Sequence, residues 1–203
     1  MKAMLRIAAL SLSFAQLLAR GQQINVSICN REGVSDAVIF RARAEAGLVY
    51  GQAGVEIVWR DCEEFPEGAG RAGAPWYVIA VRSLERKEHV NAASLEVMGE
   101  AFLDGPDGGE AADAYLPAIR ETAEEGGVDG SVLLGYVMAH ELGHLILGPG
   151  HAVDGIMRGA WGQKQIDALR QRRLRFTREG AERVRRAIAA RTKRKGADGR
   201  PLP

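Results

Sequence analysis

The spacing of apolar positions along the 203-residue chain changes several times, and each change predicts a different element. Residues 24–29 (INVSIC) and 55–60 (VEIVWR) are short runs rich in β-branched residues and read as strands. Between them, residues 35–50 (SDAVIFRARAEAGLVY) repeat their apolar positions at helical spacing, with Ser35 placed to cap the first turn. A strand, a helix and a strand in succession predict a crossover that joins a parallel pair. Residues 76–81 (WYVIAV) are apolar almost without interruption, as expected of a central strand covered on both faces. Weaker strand patterns occupy residues 97–103 and 112–116, on either side of the turn-forming run DGPDGGE. Residues 131–147 (SVLLGYVMAHELGHLIL) are apolar nearly all the way round, which predicts a helix sunk in the core rather than one lying on the surface. Two further helical patterns follow at about 162–175 and 178–192, with Thr177 available to cap the second.

These elements suit one α+β domain of α/β-like character over residues 22–192, since the length allows one substantial core and not two. The formal net charge of +1 conceals an asymmetry. Residues 158–203 carry 15 Lys and Arg against 4 Asp and Glu, while residues 1–157 carry 12 basic and 22 acidic residues. A solvated basic helix explains this better than an anion-binding face, so no nucleic-acid partner is expected, and residues 193–203 read as a disordered basic tail. The chain has no repeats, no glycine-rich phosphate loop and no CxxC pair.

Lys2 and Arg6 precede an apolar run at residues 7–19 (IAALSLSFAQLLA), and small residues follow at Ala19 and Gly21. That order is the pattern of a secretory signal peptide, and the run is too short for a comfortable membrane span. Residues 1–21 are therefore read as a signal peptide. A mature chain starting near Gln22 would be secreted or periplasmic, without stable membrane association, and would leave no room for an N-terminal inhibitory segment. An exported chain whose only cysteines are Cys29 and Cys62 suggests one disulfide, and both residues end predicted strands. Two buried free thiols are the alternative.

The chemistry is concentrated in residues 140–151 (HELGHLILGPGH), which hold three of the four histidines. Residues four apart share a helix face, so His140 and His144 can offer two imidazoles to one metal, while Glu141 stands about 100° round the axis, beside the metal and not on it. Burying these three polar groups on an apolar helix would be costly unless a metal satisfied them. Catalytic zinc takes three protein ligands and keeps one corner open to solvent, and His151 is the natural third ligand. Gly148 can adopt the left-handed conformation that ends a helix and Pro149 cannot continue one, so the chain turns there. Glu141 is then placed to take a proton from a water attacking a carbonyl, and the implied reaction is amide hydrolysis.

The run HELGHLILGPGH, followed by Asp154-Gly155-Ile156-Met157, resembles the metzincin clan of zinc endopeptidases, whose pattern is HExxHxxGxxH with a methionine turn beneath the metal. The resemblance implies His140, His144 and His151 as Zn²⁺ ligands, Glu141 as general base, Gly148 as the turn glycine and Met157 as the Met-turn residue. It also implies a single metzincin-like domain: a twisted mixed sheet of four to five strands, an active-site helix, C-terminal helices, and an antiparallel edge strand bordering the cleft, for which residues 97–103 are the candidate. Gly155-Ile156-Met157-Arg158 and Trp161 are shared with small secreted bacterial proteins of this kind. One departure stands out. Three residues separate His144 from Gly148 where the clan has two, which rotates the helix exit by about 100° and leaves Asp154 as a competing third ligand. The tyrosine that follows the Met-turn in some metzincins is missing, with Arg158, Tyr115 and Tyr136 as the other donors to consider. The function expected is a monomeric zinc endopeptidase acting on peptide or protein substrates. The alternatives are a metal-dependent endoribonuclease-like hydrolase, or a non-catalytic binding module with a closed zinc site.

Overall fold

The computed structural model describes residues 21–62, 74–84, 87–90 and 93–198. Strand β1 (Gln22–Asn30), helix α1 (Asp36–Gln52) and strand β2 (Val55–Asp61) form the expected crossover, and β1 and β2 pair in parallel. Strand β3 (Trp76–Arg82) pairs on the other side of β1. Two short strands, β4 (Lys87–Val90) and β5 (Ala93–Glu96), make a separate antiparallel pair that the apolar pattern did not signal. Strands β6 (Gly99–Leu103) and β7 (Gly109–Tyr115) complete a five-stranded mixed sheet in the order β2-β1-β3-β7-β6. β7 is parallel to β3, and β6 runs antiparallel to β7 at the sheet edge, as expected for residues 97–103.

The central strand departs from expectation on one face. Tyr77, Ile79 and Val81 are buried, but Trp76, Val78 and Ala80 are only half-buried, so β3 is fully covered on one side. Helix α2 (Leu116–Gly126) was missed, because the apolar run at 112–116 crosses the junction between β7 and this helix. Its boundary signals are present in Pro117 in the first turn and Gly127 in a left-handed C-cap.

Helix α3 (Gly130–Leu147) is buried along nearly all its length, and Asp129 caps it by accepting from the Ser131 N–H at 2.8 Å. It passes the length and hydropathy test for a membrane span, yet 89% of that window is inside the fold, as befits a core helix. Gly135 lets α1 approach closely, since a Cβ there would lie 2.6 Å from the Ala42 carbonyl oxygen. Helix α4 (Gln163–Arg170) is shorter than the 162–175 pattern suggested. Arg172 leaves the helix at φ 52°, held by an ion pair to the buried Glu45 of α1 at 3.0 Å, and the chain then runs without regular secondary structure to the next helix. Helix α5 (Arg178–Asp198) continues six residues into the stretch expected to be disordered, and residues 199–203 lie outside the described residues. From α5, Arg191 donates to the Leu145 carbonyl at 2.6 Å and to the Tyr77 hydroxyl at 2.8 Å. One side chain thus satisfies a carbonyl left open at the C-terminus of α3 and ties it to β3.

Cys29 and Cys62 form a disulfide, with Cα atoms 4.6 Å apart. The register explains it: Ile28 pairs with Asp61, so the next residues of the two parallel strands stand opposite one another. The bond closes a loop with a sequence separation of 33, worth about 3–4 kcal/mol by loop-closure entropy. Replacing both cysteines with serine should lower stability in urea denaturation by about that amount; an unchanged midpoint would show that the sheet holds this corner unaided.

Candidate metal centre

His140 and His144 stand one turn apart on α3, each only 8% exposed, while His151 reaches them from the exposed loop after the helix. Their Nε2 atoms converge, at 3.0 Å between His140 and His144 and 3.2 Å between His144 and His151. The loop absorbs the extra helical residue through two glycines at positive φ, Gly148 (φ 84°) and Gly150 (φ 98°). Gly148 is not in the left-handed helical conformation expected of it. Its ψ is −166°, an extended geometry open to glycine alone, and a Cβ there would lie 2.1 Å from the Pro106 carbonyl oxygen of the β6–β7 loop.

Asp154 is not brought to the histidines. It is exposed, accepts from the Gly155 N–H at 2.9 Å and pairs with Lys164 at 3.0 Å. These contacts, the backbone one first, hold its carboxyl below the usual range. Among the described residues the cluster able to hold a metal consists of the three histidines and contains no fourth protein donor.

The second nitrogens of the two helical histidines decide what the cluster can hold. Nδ1 of His140 lies 2.7 Å from the Ile156 carbonyl oxygen, and Nδ1 of His144 lies 3.3 Å from that of Gly148. A carbonyl oxygen only accepts, so both Nδ1 atoms carry the proton and both Nε2 atoms present lone pairs. Burial pushes His140 down to about 4 and lowers His144 as well, which keeps both rings neutral at ordinary pH. Lone pairs aimed at one another at these distances repel unless a cation stands between them. The donor set therefore fits a divalent metal of the kind imidazole favours.

Glu141 is 6% exposed and lines the same cleft. Gly99 of β6 makes room for it, because a Cβ at that position would fall 2.7 Å from Cγ and 2.8 Å from Oε1 of the glutamate. The carboxyl accepts a backbone hydrogen bond from Ala101, but burial outweighs that contact and raises the group to about 8. Met157 is buried directly beneath α3, packed into the space left by Gly143, where a Cβ would lie 2.3 Å from the methionine sulfur and force that side chain to move. The Ile156 carbonyl that orients His140 also accepts from Trp161 Nε1 at 3.3 Å, and the indole stands edge-on to the His140 ring at 5.7 Å. Gly99, the Ile156 carbonyl and the edge-on contact of Trp161 had no sequence signal, because each acts through proximity in the fold.

The other polar candidates are engaged elsewhere. Tyr115 donates to Glu100 at 3.0 Å, and Tyr136 is buried near Glu45 and raised to about 12, chiefly by desolvation. Arg158 donates to the carbonyls of Ala160 at 2.9 Å and Val153 at 3.0 Å, and its charge adds a smaller contribution to the lowering of Asp154. The cleft itself encloses about 740 Å³ between β6, α3, the 159–161 segment and the exposed acids Glu121 and Glu125 of α2.

No protein-family model and no curated protein matches the sequence. Among solved structures, the fold is similar to that of archaemetzincin from Methanopyrus kandleri, with a TM-score of 0.51 and 18% identity, over 85% of this chain and 99% of that one. The likeness establishes the fold as a mixed α/β domain of the archaemetzincin type.

The two buried groups pull stability in opposite directions with pH. The unfolded chain protonates His140 near 6.5 while the fold keeps it neutral down to about 4, so this histidine makes stability fall as pH drops below 6.5. The unfolded chain releases the Glu141 proton near 4.5 while the fold keeps it to about 8, so this glutamate makes stability fall as pH rises across that window. Above the histidine's range only the glutamate effect remains. The metal-free protein should lose about 2 kcal/mol between pH 6.5 and 8, and Glu141→Gln should remove that slope. Parallel melting curves for wild type and variant across this range would contradict it.

Proposed function

We propose that the protein is an exported zinc-dependent endopeptidase. One observation carries the reading: three imidazole Nε2 atoms converge in a cleft, two of them with Nδ1 on backbone carbonyls, and Glu141 stands beside them. The metzincin resemblance of the motif and the archaemetzincin-like fold point the same way. Zinc held by His140, His144 and His151 would supply a Lewis acid at the open corner, polarising a carbonyl and bringing a water's pKa towards about 7.

The chain's own residues supply the rest. Among the described residues β6 pairs with β7 alone, and its Gly99, Glu100 and Ala101 line the cleft, so the outer edge can bind an extended peptide backbone by strand addition. Burial holds Glu141 at about 8, and the charge of a divalent metal beside it would favour the carboxylate. Set against Gly99 and sheltered from bulk water, that carboxylate would take the proton of the attacking water and return it to the leaving amine. The disulfide suits an oxidising compartment and agrees with reading residues 1–21 as a signal peptide.

The rival readings fit less well. An RNA backbone would meet Glu100, Glu121 and Glu125 at the cleft, and α5, which carries much of the basic charge, does not line it. A closed zinc module needs a fourth ligand, and Asp154 is committed to Lys164. The purified protein should hold one zinc per chain and cleave members of a broad peptide library in a chelator-sensitive manner. Glu141→Gln should retain the metal and lose about 10²–10⁴ in turnover. Zinc-loaded wild type that cleaves nothing, or a fully active Glu141→Gln, would refute the proposal.

A further inference from the structure

We infer that Arg158 and Gly159 are positioning residues for His151, together forming a clasp that holds the third imidazole in place; the inference rests on the zinc reading above. His140 and His144 are fixed twice, by the α3 backbone and by a carbonyl at Nδ1. His151 has neither support. It is exposed, it sits in a loop, and among the described residues no carbonyl meets its Nδ1. Its ring lies against the backbone of Gly159 instead. A Cβ on Gly159 would come within 2.8 Å of Nδ1, 2.9 Å of Cγ and 3.1 Å of Cδ2. Three atoms of the ring therefore rest where any larger residue would place its side chain. Gly159 is absent from the positive-φ glycines, so the constraint is one of space and not of backbone conformation.

Arg158 fixes the surface that the ring rests on. Its Nε donates to the Ala160 carbonyl at 2.9 Å and its Nη1 to the Val153 carbonyl at 3.0 Å. One guanidinium thus bridges the chain two residues after His151 to the chain one residue after Gly159. The Ala152 N–H adds a second tie by donating to the Met157 carbonyl at 2.8 Å. The loop that carries the third ligand is closed on itself, and a planar fork with several fixed donors is what spans it. Holding a ligand in its binding geometry before the metal arrives raises affinity by lowering the ordering cost of binding, and partners that orient ligands are typically worth about 10–100-fold in metal affinity.

The test uses the full chain and three variants, Gly159→Ala, Arg158→Ala and Arg158→Lys. Zinc dissociation constants are measured by competition with a chromophoric chelator, alongside thermal melting of each metal-free protein. Gly159→Ala should raise the zinc dissociation constant about 10–100-fold, Arg158→Ala should raise it in the same direction, and Arg158→Lys, which can reach only one of the two carbonyls, should recover part of the loss. The metal-free melting temperatures should stay at the wild-type value, which a general packing defect would not allow. Should Gly159→Ala fail to fold, the two Arg158 variants decide the matter. Unchanged zinc affinity in the folded variants, or losses matched by equal drops in metal-free stability, would overturn the clasp. A wild-type protein that binds no zinc would instead overturn the zinc reading beneath it.

Discussion

Two imidazole nitrogens with lone pairs pointing at each other across 3.0 Å, on a helix buried almost throughout, are a standing electrostatic conflict. The carbonyls of Ile156 and Gly148 enforce it, because each claims the proton that would otherwise relieve the contact. A hydrophobic core tolerates such a pair only when a cation resolves it, and the surrounding elements can be understood by how they maintain that demand.

α3 is held on several sides. Gly135 admits α1 to van der Waals distance, and Tyr50 of α1 donates to the Ala139 carbonyl at 3.2 Å, immediately before the first histidine. Met157 fills the space that Gly143 leaves, and Arg191 satisfies the carbonyl end of the helix from α5. Glycine recurs wherever the site is crowded: at 99 it admits the Glu141 carboxyl, at 143 the methionine sulfur, at 159 the His151 ring. Each of these positions gives up side-chain packing to bring a functional group closer than a Cβ would permit. The same logic ties sheet to site, since the strand at the sheet edge is also the one whose Gly99 makes room for the Glu141 carboxyl.

Much of this was legible before any coordinates. Helical spacing of His140 and His144, the apolar surround of residues 131–147, the β1-α1-β2 crossover and the pairing of Cys29 with Cys62 follow from periodicity and from strand ends meeting in register. What escaped has specific causes. α2 hid behind a strand-like run that spans its junction with β7, and α4 ended early because Arg172 is captured by Glu45 from a distant helix. Gly148 was expected in the conformation that usually closes a helix, but the Pro106 carbonyl occupies the space beside it and the chain leaves in an extended form. His151 was favoured from the sequence and joins the other two histidines, while the ion pair that engages the alternative, Asp154, with Lys164 is a contact that spacing does not reveal. At α4 and at Gly148 a local preference was overruled by a partner remote in sequence.

Coordination by the three histidines is what every other proposed role depends on, and X-ray absorption at the zinc edge reports that coordination directly. Protein loaded with one equivalent of zinc should give a first shell of three imidazole nitrogens at about 2.0–2.1 Å and one further oxygen from solvent. A shell with two imidazoles, or one completed by a carboxylate of the protein, would contradict it.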